Sequence, residues 1–369
     1  MIRLAAVIET FEADVLRQYG PSVLAHQRFA LSAIKRCRSA FSPKMQAECQ
    51  SCAEQVWMPH SCGHRFCPHC QAHESQRWLA RQRARLVPGD YFLLTFTLPA
   101  QFRALAKAHQ SRVYPLLMTC AWQTLQTFSQ NDKQLQGTPG AVAVLHTHSR
   151  RLDYHPHVHV LMPAVAFDAQ RRLWRSKKPG QHGRKSGYLF SHKALATVFR
   201  AKLLAALNAA GIVLPQDIPA QWVVDCKSVG AGEKALVYLG RYLYRGVIRE
   251  QDIVACKDGQ VTFGYQNSKT RRRETRTLPG AQFLCLLLQH VLPKGLQRAR
   301  NFGFLHPNSK RLIALLQVVF RMTNTKPSQT MRPVLVCPCC GGAMKIVRTR
   351  IPAHPAWPIT VKVDPGAAV

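Results

Sequence analysis

Histidines alternate with other residues in a short segment, a spacing typical of a metal-binding strand. His155, His157 and His159 are separated by single residues. Successive side chains of a β-strand point to opposite faces, so His157 and His159 share one face, about 6–7 Å apart at Cα. Val158 and Val160 then point to the opposite, buried face. Two imidazoles on one face predict a divalent cation site, although the pattern also fits a merely polar face.

A third ligand must come from elsewhere, because His155 lies about 13 Å from His159 along an extended strand. The preceding predicted strand carries His146 and His148, and a short loop joins the two strands. His146 is the stronger candidate, since His148 lies near the end of its strand. We expect this centre to bind Mg²⁺ or Mn²⁺ weakly, because open sites for hard cations keep waters and need the substrate phosphate as a ligand.

Three tyrosines lie in a segment that predicts a helix, at about residues 231–246. Tyr238 and Tyr242 are four residues apart and therefore share a helix face, whereas Tyr244 points away. Arg241 and Arg245 flank the tyrosine face, where they are candidates for holding phosphates. Alone, the segment fits an ordinary amphipathic helix. Beside a histidine centre in a basic chain, it predicts a pair of tyrosine nucleophiles.

Closely spaced cysteines predict structural zinc near the N-terminus. Cys49 and Cys52 form one Cys-x-x-Cys pair and Cys67 and Cys70 form another. Each pair can place two thiolates on one tetrahedral ion, and four thiolates leave no open position. Cys62 is an alternative ligand. Nearby histidines leave open a mixed site or a second metal ion; these are His60, His64 and His69.

A further Cys-x-x-Cys pair, Cys337 and Cys340, lies near the C-terminus with Cys339 between its members. A closed zinc site would need two more ligands, and His354 is the only nearby candidate. The sequence leaves a second zinc site and a reduced, glycine-containing turn equally open.

The charge of the chain predicts a nucleic acid partner. Lys and Arg number 51 against 18 Asp and Glu, for a formal net charge of +33. A chain so basic repels itself unless an anion lies against it, and phosphates are the usual anion. A basic segment at 171–187 is the first candidate to follow the DNA backbone; its charged residues are Arg171, Arg172, Arg175, Lys177, Lys178, Arg184 and Lys185. Its alternative role is a solvated loop.

The elements that position these residues predict a helical lead-in, a cysteine-rich module and a mixed α and β body. Strands are predicted at 91–99, 141–149 and 157–165, and helices at about 102–130 and 192–210. Asp258–Gly259 between alternating runs predicts a β-hairpin. We expect three domains: 1–75, which contacts DNA through the zinc module; 76–300, the catalytic domain; and 301–369, a basic tail.

The ordered set of motifs resembles the rolling-circle transposases of the insertion-sequence ninety-one family, within the histidine–hydrophobic–histidine endonucleases. The matching segments, in the order of the family, are CQSC…SCGHRFCPHC, YFLLTFTLP, VLHTHSRRLDYHPHVHVLMP, YLGRYLYRGVI, VTFGYQNSK, HVLPKGLQRARNFGFL and CPCCGG. They cover most of residues 37–342. The resemblance implies an α+β fold with a mainly antiparallel sheet and flanking helices.

The resemblance also implies cleavage of single-stranded DNA at element ends and target sites through a 5′-phosphotyrosine. It makes His157 and His159 metal ligands and Tyr238 and Tyr242 nucleophiles, with Tyr238 first because the motif begins there. Two departures stand out. Tyr242 occupies the position where related single-tyrosine enzymes carry a glutamine ligand, and Phe66 stands where a histidine is expected.

Two alternatives stay open at this stage: a plasmid replication initiator or relaxase of the same chemistry, and a zinc-dependent DNA-binding regulator without chemistry. Genetic context separates the first from a transposase, and a nicking assay separates the second. The chain has no run of 18 apolar residues and no segment shaped like a secretory signal, so we expect a bacterial cytosolic protein without a membrane partner.

Overall fold

The structure is a computed structural model that describes residues 1–177, 189–244, 246–267, 270–319 and 335–352. Nine α-helices are described in these ranges: α1 (Leu4–Tyr19), α2 (Ala25–Arg36), α3 (Ala72–Arg83), α4 (Arg103–Ala108), α5 (Gln110–Asn131), α6 (His192–Ala209), α7 (Glu233–Tyr244), α8 (Gly280–Leu288) and α9 (Lys310–Val319).

Fourteen strands are described in the same ranges: β1 (Lys44–Cys49), β2 (Gln55–Pro59), β3 (Tyr91–Thr97), β4 (Thr138–His148), β5 (Tyr154–Pro163), β6 (Val165–Asp168), β7 (Leu173–Ser176), β8 (Val224–Ser228), β9 (Ile253–Lys257), β10 (Gln260–Gln266), β11 (Arg273–Pro279), β12 (Ala299–Gly303), β13 (Leu335–Val336) and β14 (Ala343–Ile351). The predicted α+β class, with antiparallel sheets and flanking helices, is confirmed.

The largest sheet has seven strands, in the order β7–β6–β4–β5–β3–β8, with β12 also paired to β4. All of its pairs are antiparallel. The two central strands, β4 and β5, form a hairpin in which His146 is paired with His157. The alternation of side chains therefore assigns the histidines to one face of the centre of the sheet.

The opposite face of this sheet packs on the largest apolar core. Val158 and Val160 are 0% and 1% exposed and lie in that core, as the alternation predicts. Helices α5 and α6 cover this face with residues at helical spacing, such as Val113, Leu117 and Leu203. The largest apolar core therefore lies on the face opposite the histidines.

Helix α7 packs over the histidine face of the sheet. Leu236, Leu239 and Leu243, at helical spacing, are buried against Val142 and Val144 of β4. Helix α3 packs on α7 from outside, and Gly240 allows this approach: a Cβ there would meet the Trp78 ring at 3.3 Å. The tyrosine helix is thereby fixed against the sheet.

Two smaller sheets complete the fold. The strands β9, β10 and β11 form one, and the turn between β9 and β10 has positive φ at both Asp258 and Gly259, which confirms the predicted hairpin. Helices α1 and α2 pack with α8 in a separate apolar core. The other small sheet has the order β13–β14–β1–β2 and joins strands from both ends of the sequence.

One segment differs from its expected conformation. Within the predicted basic loop at 171–187, residues Leu173–Ser176 form β7, which extends the main sheet through β6. Three of the expected DNA-contacting residues of this segment lie outside the described residues: Lys178, Arg184 and Lys185.

Candidate active site

Three histidines from the central hairpin come together on the α7 face of the sheet. The ring centroids of His146 and His157 are 5.2 Å apart, those of His146 and His159 4.4 Å, and those of His157 and His159 4.8 Å. One ring nitrogen from each lies within 4.8 Å of the others. We call this group the three-histidine centre; it contains both expected ligands and the preferred third candidate.

Hydrogen bonds fix which nitrogen each imidazole can offer. Thr95 Oγ1 lies 2.9 Å from His159 Nδ1, and His157 Nδ1 donates to the His155 carbonyl over 2.6 Å. These contacts leave Nε2 of His157 and of His159 as the ligand atoms. His146 Nε2 is buried and has no hydrogen-bond partner among the described residues. An outer partner on one nitrogen and a free second nitrogen are usual for metal-binding histidines.

Burial keeps the imidazoles of the centre neutral. It lowers the pKa of His157 to about 4 and, with the neighbouring His157, lowers the pKa of His159 to about 3. It also holds the pKa of His146 well below the ordinary value. Neutral imidazoles carry the lone pairs that a cation needs, so the donor set of the centre fits a divalent metal ion.

The other two histidines of the hairpin lie outside this centre. Arg103 Nη2 donates a hydrogen bond to His155 Nδ1 over 3.1 Å, and His155 is not a member of the three-histidine centre. The His148 ring lies 5.2 Å from the ring of His290 and 5.8 Å from that of Tyr242.

The two expected nucleophiles face the three-histidine centre. The ring of Tyr242 stacks on His146, with centroids 4.3 Å apart and planes at 18°. The ring of Tyr238 lies 4.9 Å from Tyr242 and 5.8 Å from His159. Tyr244 lies on another face of α7 and packs against Trp78, with ring centroids 6.4 Å apart. The helix-face prediction is thus confirmed as geometry, and both phenols lie next to the histidines.

The charges around the tyrosines differ in part from those expected. Burial, together with the neighbouring Tyr242, raises the pKa of Tyr238, and the positive charge of Arg150 opposes this rise. Arg241 has an exposed side chain, and Arg245 lies outside the described residues. Among the described residues, Arg150 is the arginine whose positive charge lowers the pKa of Tyr238.

Besides Arg150, sequence reasoning missed two residues that position the site. Thr95 fixes His159, and Arg298 donates from Nε to the Leu145 carbonyl over 3.1 Å and from Nη1 to the Leu243 carbonyl over 3.4 Å. Arg298 therefore ties α7 to β4. A single threonine within the apolar strand β3 gives only a weak sequence signal for a role in the site. Nothing in the sequence around Arg298 indicates that it contacts both β4 and α7.

The cysteines form two four-thiolate groups, not the expected one. The first cysteine cluster is Cys37, Cys62, Cys67 and Cys70, and the second cysteine cluster is Cys49, Cys52, Cys337 and Cys340. The expected grouping of Cys49 and Cys52 with Cys67 and Cys70 is wrong. Spacing shows which cysteines form a Cys-x-x-Cys pair, which we call a knuckle. Which two knuckles combine depends on the fold, because the pairing of β14 with β1 places Cys337 and Cys340 beside Cys49 and Cys52.

The sulfur separations fit a tetrahedral ion. In the first cysteine cluster, Cys37 and Cys70 are 3.3 Å apart, Cys62 and Cys70 3.6 Å, and Cys67 and Cys37 3.6 Å. A disulfide would need about 2 Å, whereas thiolates at about 2.3 Å from one zinc lie about 3.8 Å apart. Cys62, which the sequence indicated as an alternative ligand, is a member of the first cysteine cluster. The sequence did not indicate Cys37 as a ligand. His69 is instead ion-paired with Glu250 at 2.9 Å.

Family models match both regions of the chain. A model described as "Putative transposase" matches residues 140–312, and one described as "Transposase zinc-binding domain" matches residues 7–98. The chain is 31% identical over 352 residues to a putative transposase of Sinorhizobium fredii, covering 87% of each protein. It belongs to the insertion-sequence ninety-one family of transposases.

A second relative of this transposase agrees with that assignment. The transposase for insertion sequence element IS801 of Pseudomonas savastanoi pv. phaseolicola is 25% identical over 277 residues, covering 69% of this chain and 64% of the relative. No solved structure matches the chain. The "Putative transposase" match contains the three-histidine centre and both facing tyrosines. The zinc-binding match contains the whole first cysteine cluster and supports structural zinc.

The basic residues of the transposase at 171–177 are partly held by carboxylates. Arg171 and Arg175 each lie 3.5 Å from Asp168, and Lys177 is ion-paired with Asp132. Arg172 has no ion pair within the ranges that the structure covers. The sequence shows no acid inside this segment, but the fold supplies two. Among the described residues, no helix is long and apolar enough to cross a membrane.

Proposed function

We propose that this transposase nicks and rejoins single-stranded DNA through a 5′-phosphotyrosine intermediate, and so moves an insertion sequence by a rolling-circle-like route. The observation that supports this most directly is the placement of two phenols beside one three-histidine centre. The Tyr242 ring stacks on His146 at 4.3 Å, and the Tyr238 ring lies 5.8 Å from His159. Nucleophile and metal ligands therefore lie within reach of a single phosphate.

The three-histidine centre would hold Mg²⁺ or Mn²⁺ through His146, His157 and His159. A divalent cation bound there would polarise the scissile phosphate and stabilise the departing 3′-oxygen. Three protein ligands leave positions for the phosphate oxygens and water, as in catalytic rather than structural sites. The donor set and the free, buried Nε2 of His146 fit this role.

The tyrosines carry the covalent step. A phenol oxygen forms a bond to phosphorus while the bond from phosphorus to the 3′-oxygen breaks, and that oxygen leaves as a hydroxyl. The phosphotyrosine conserves the phosphodiester energy, so attack by a 3′-hydroxyl on a new strand reverses the step without an external energy source. The raised pKa of Tyr238 keeps its phenol protonated at rest, so attack depends on the polarised phosphate and on positive charge such as that of Arg150.

Two adjacent nucleophiles suit successive transfers. Their ring centroids are 4.9 Å apart, so one tyrosine can hold a strand end while its neighbour attacks another strand. We rank Tyr238 first, on the family motif, and Tyr242 second. The basic residues at 171–177 and Arg241 would bind the DNA backbone without reading its sequence.

Covalent trapping tests the proposal. Full-length protein is incubated with Mn²⁺ and single-stranded DNA from the element ends, and a denaturation-resistant adduct is measured. Tyr238→Phe with Tyr242→Phe should abolish the adduct, and Tyr244→Phe, on the same helix, should retain it. An adduct that survives the double substitution and maps to Tyr244 would contradict the assignment. DNA binding by the unsubstituted protein without any nick would favour the non-enzymatic alternative.

A further inference from the structure

We propose that Cys49, Cys52, Cys337 and Cys340 bind a second structural zinc ion, which joins the β1–β2 hairpin and the β13–β14 hairpin into one zinc ribbon. The zinc-binding family match at residues 7–98 contains only half of these ligands. The site is separate from the first cysteine cluster and from the three-histidine centre, and the inference does not depend on the proposed nicking chemistry.

The four sulfurs have the arrangement of a closed tetrahedral site. Cys49 Sγ lies 3.5 Å from Cys340 Sγ, and Cys52 Sγ lies 3.7 Å from Cys337 Sγ. These short separations link one knuckle to the other, not only the members of one knuckle. Four thiolates complete the tetrahedral coordination of zinc and leave no position for a substrate, so the site is structural.

Each knuckle lies at the tip of a hairpin, and both hairpins belong to one sheet. The N-terminal hairpin is formed by β1 and β2 and the C-terminal hairpin by β13 and β14. Strands β1 and β14 are antiparallel neighbours, with Cys49 opposite Met344. Two Cys-x-x-Cys hairpins side by side are the framework of a zinc ribbon; here Cys52 and Cys337 lie 285 positions apart in the sequence.

The backbone of both knuckles is shaped for this arrangement. The Ser51 amide donates to Cys49 Sγ over 3.4 Å, and such a bond stabilises the thiolate form that binds metal. The Cys337 amide donates to the Gly342 carbonyl over 2.9 Å and closes the other turn. A Cβ on Gly342 would lie 2.7 Å from Ser51 Oγ and 3.3 Å from Cys340 Sγ, so the two knuckles approach each other closely at this glycine.

The apolar core of this sheet is small. Among the described residues it has six buried members, two of them in the second cysteine cluster: Ala47, Cys49, Val56, Met58, Cys337 and Met344. A core of this size is too small to stabilise a module, and small modules of this kind usually depend on a metal ion. Metal binding would therefore supply folding free energy to the sheet.

The chain also contains a matched control. Cys339 lies between Cys337 and Cys340 in the sequence, yet it is exposed and belongs to neither cluster. A substitution there removes a thiol from the same turn without removing a proposed ligand. Comparison with this variant tests whether zinc binding depends on the position of the cysteine and not on the number of thiols in the turn.

Zinc stoichiometry in the full-length protein tests the proposal, by elemental analysis and native mass spectrometry. The unsubstituted chain should hold two zinc ions in its cysteine clusters. Cys337→Ser and Cys52→Ser should each lower the content by one. The double variant Cys52→Ser with Cys337→Ser should also lose only one, because both ligands serve the same ion. Cys339→Ser should retain both ions.

Two further measurements keep the test decisive if a serine variant folds poorly. Cys340→His replaces one zinc ligand by another and should retain the second ion. Titration of the unsubstituted protein with a thiol-blocking mercurial should release two zinc ions. A single zinc per chain in the unsubstituted protein, or unchanged zinc content in Cys337→Ser, would overturn the inference.

Discussion

The three-histidine centre and the two cysteine clusters gather metal-binding side chains in opposite ways. The histidines supply three ligand atoms from two adjacent strands, beside two phenols. Each cysteine cluster supplies four thiolates and closes on itself. An ion with an open position can bind a reacting phosphate, whereas an enclosed ion can only hold chain segments together. Ligand count and neighbours thus separate the proposed reactive centre from the clusters that would hold the fold together.

The largest effect should follow from opening the three-histidine centre. His157→Ala should lower the nicking rate by on the order of a thousandfold or more, since a catalytic cation contributes several kcal/mol to the transition state. DNA affinity should change little, because it comes mainly from basic residues. Single-turnover nicking in Mn²⁺ measures the rate, and equilibrium binding measures the DNA affinity. The control is His155→Ala, on the same strand face but outside the centre; normal nicking by His157→Ala would place the metal elsewhere.

The first cysteine cluster should give the opposite pattern. Cys67 is fully buried, and Cys67→Ser should remove one zinc and cost about 4 kcal/mol or more, as losses of structural metal sites do. The fraction that still folds should nick at the normal rate. Elemental analysis measures the zinc content, urea unfolding measures the stability, and the nicking rate is measured per folded molecule. The control is Cys285→Ser, which lies outside both clusters. Unchanged zinc content and unchanged stability of Cys67→Ser would show that the first cysteine cluster does not hold a structural zinc ion.

The hydrogen bond from Thr95 should tune the centre without abolishing it. Thr95→Val removes the partner of His159 Nδ1 and should weaken Mn²⁺ binding about 10–100-fold, the usual effect of losing an outer partner of a metal ligand. The nicking rate should recover at high Mn²⁺. The matched control is Thr97→Val, opposite His157 on the same strand. An unchanged Mn²⁺ dependence would mean that the contact does not orient the ligand.

The buried histidines should make the metal-free protein sensitive to acid. Burial lowers the pKa of His290 to about 4, whereas its unfolded value is about 6.5. Between these values the unfolded chain binds the extra proton, so the free energy of unfolding falls as pH falls from about 6.5 to about 4. His290→Gln should flatten this fall by up to about 1.4 kcal/mol per pH unit. Urea unfolding across this range, with the exposed His306→Gln as control, measures it; equal slopes would contradict the argument.

The smallest effect is expected in the basic segment. Asp168 lies beside both Arg171 and Arg175, so Arg172 should contribute most to DNA contact. Arg172→Gln should lower the slope of log affinity against log salt by about 0.7, the value for one phosphate on single-stranded DNA. Arg175→Gln should lower it less. Equal slopes for both variants and the unsubstituted protein would indicate that the segment is a solvated surface that does not contact DNA.

Sequence reasoning succeeded where the chemistry is local. The alternation of His157 and His159, the four-residue spacing of Tyr238 and Tyr242, and the Asp258–Gly259 turn each depend on one element or one hairpin. His146 could be named because it lies on the neighbouring strand of that hairpin. Local periodicity contains all of this information.

Sequence reasoning failed where distant segments meet. The spacing of Cys49 and Cys52 identified a knuckle but not its partner, because that partner lies beyond the whole catalytic body. Thr95 and Arg298 reach the site through the register of β3 and through packing of α7, neither of which is a sequence pattern. Lys177 pairs with Asp132, which lies 45 positions earlier in the sequence, and no local pattern indicates that contact.

The pairing of β1 with β14 has a consequence for the making of the protein. A ribosome adds about 5–20 residues per second, so the 285 residues from Ala53 to Cys337 take about 15–60 s to synthesise. Throughout that interval the nascent β1–β2 hairpin has no neighbour on its β14 side. A translation product that stops short of Cys337 carries every residue of the three-histidine centre and both tyrosines, yet leaves this sheet half built. The pairing of β1 with β14 therefore has to wait until β14 has been synthesised.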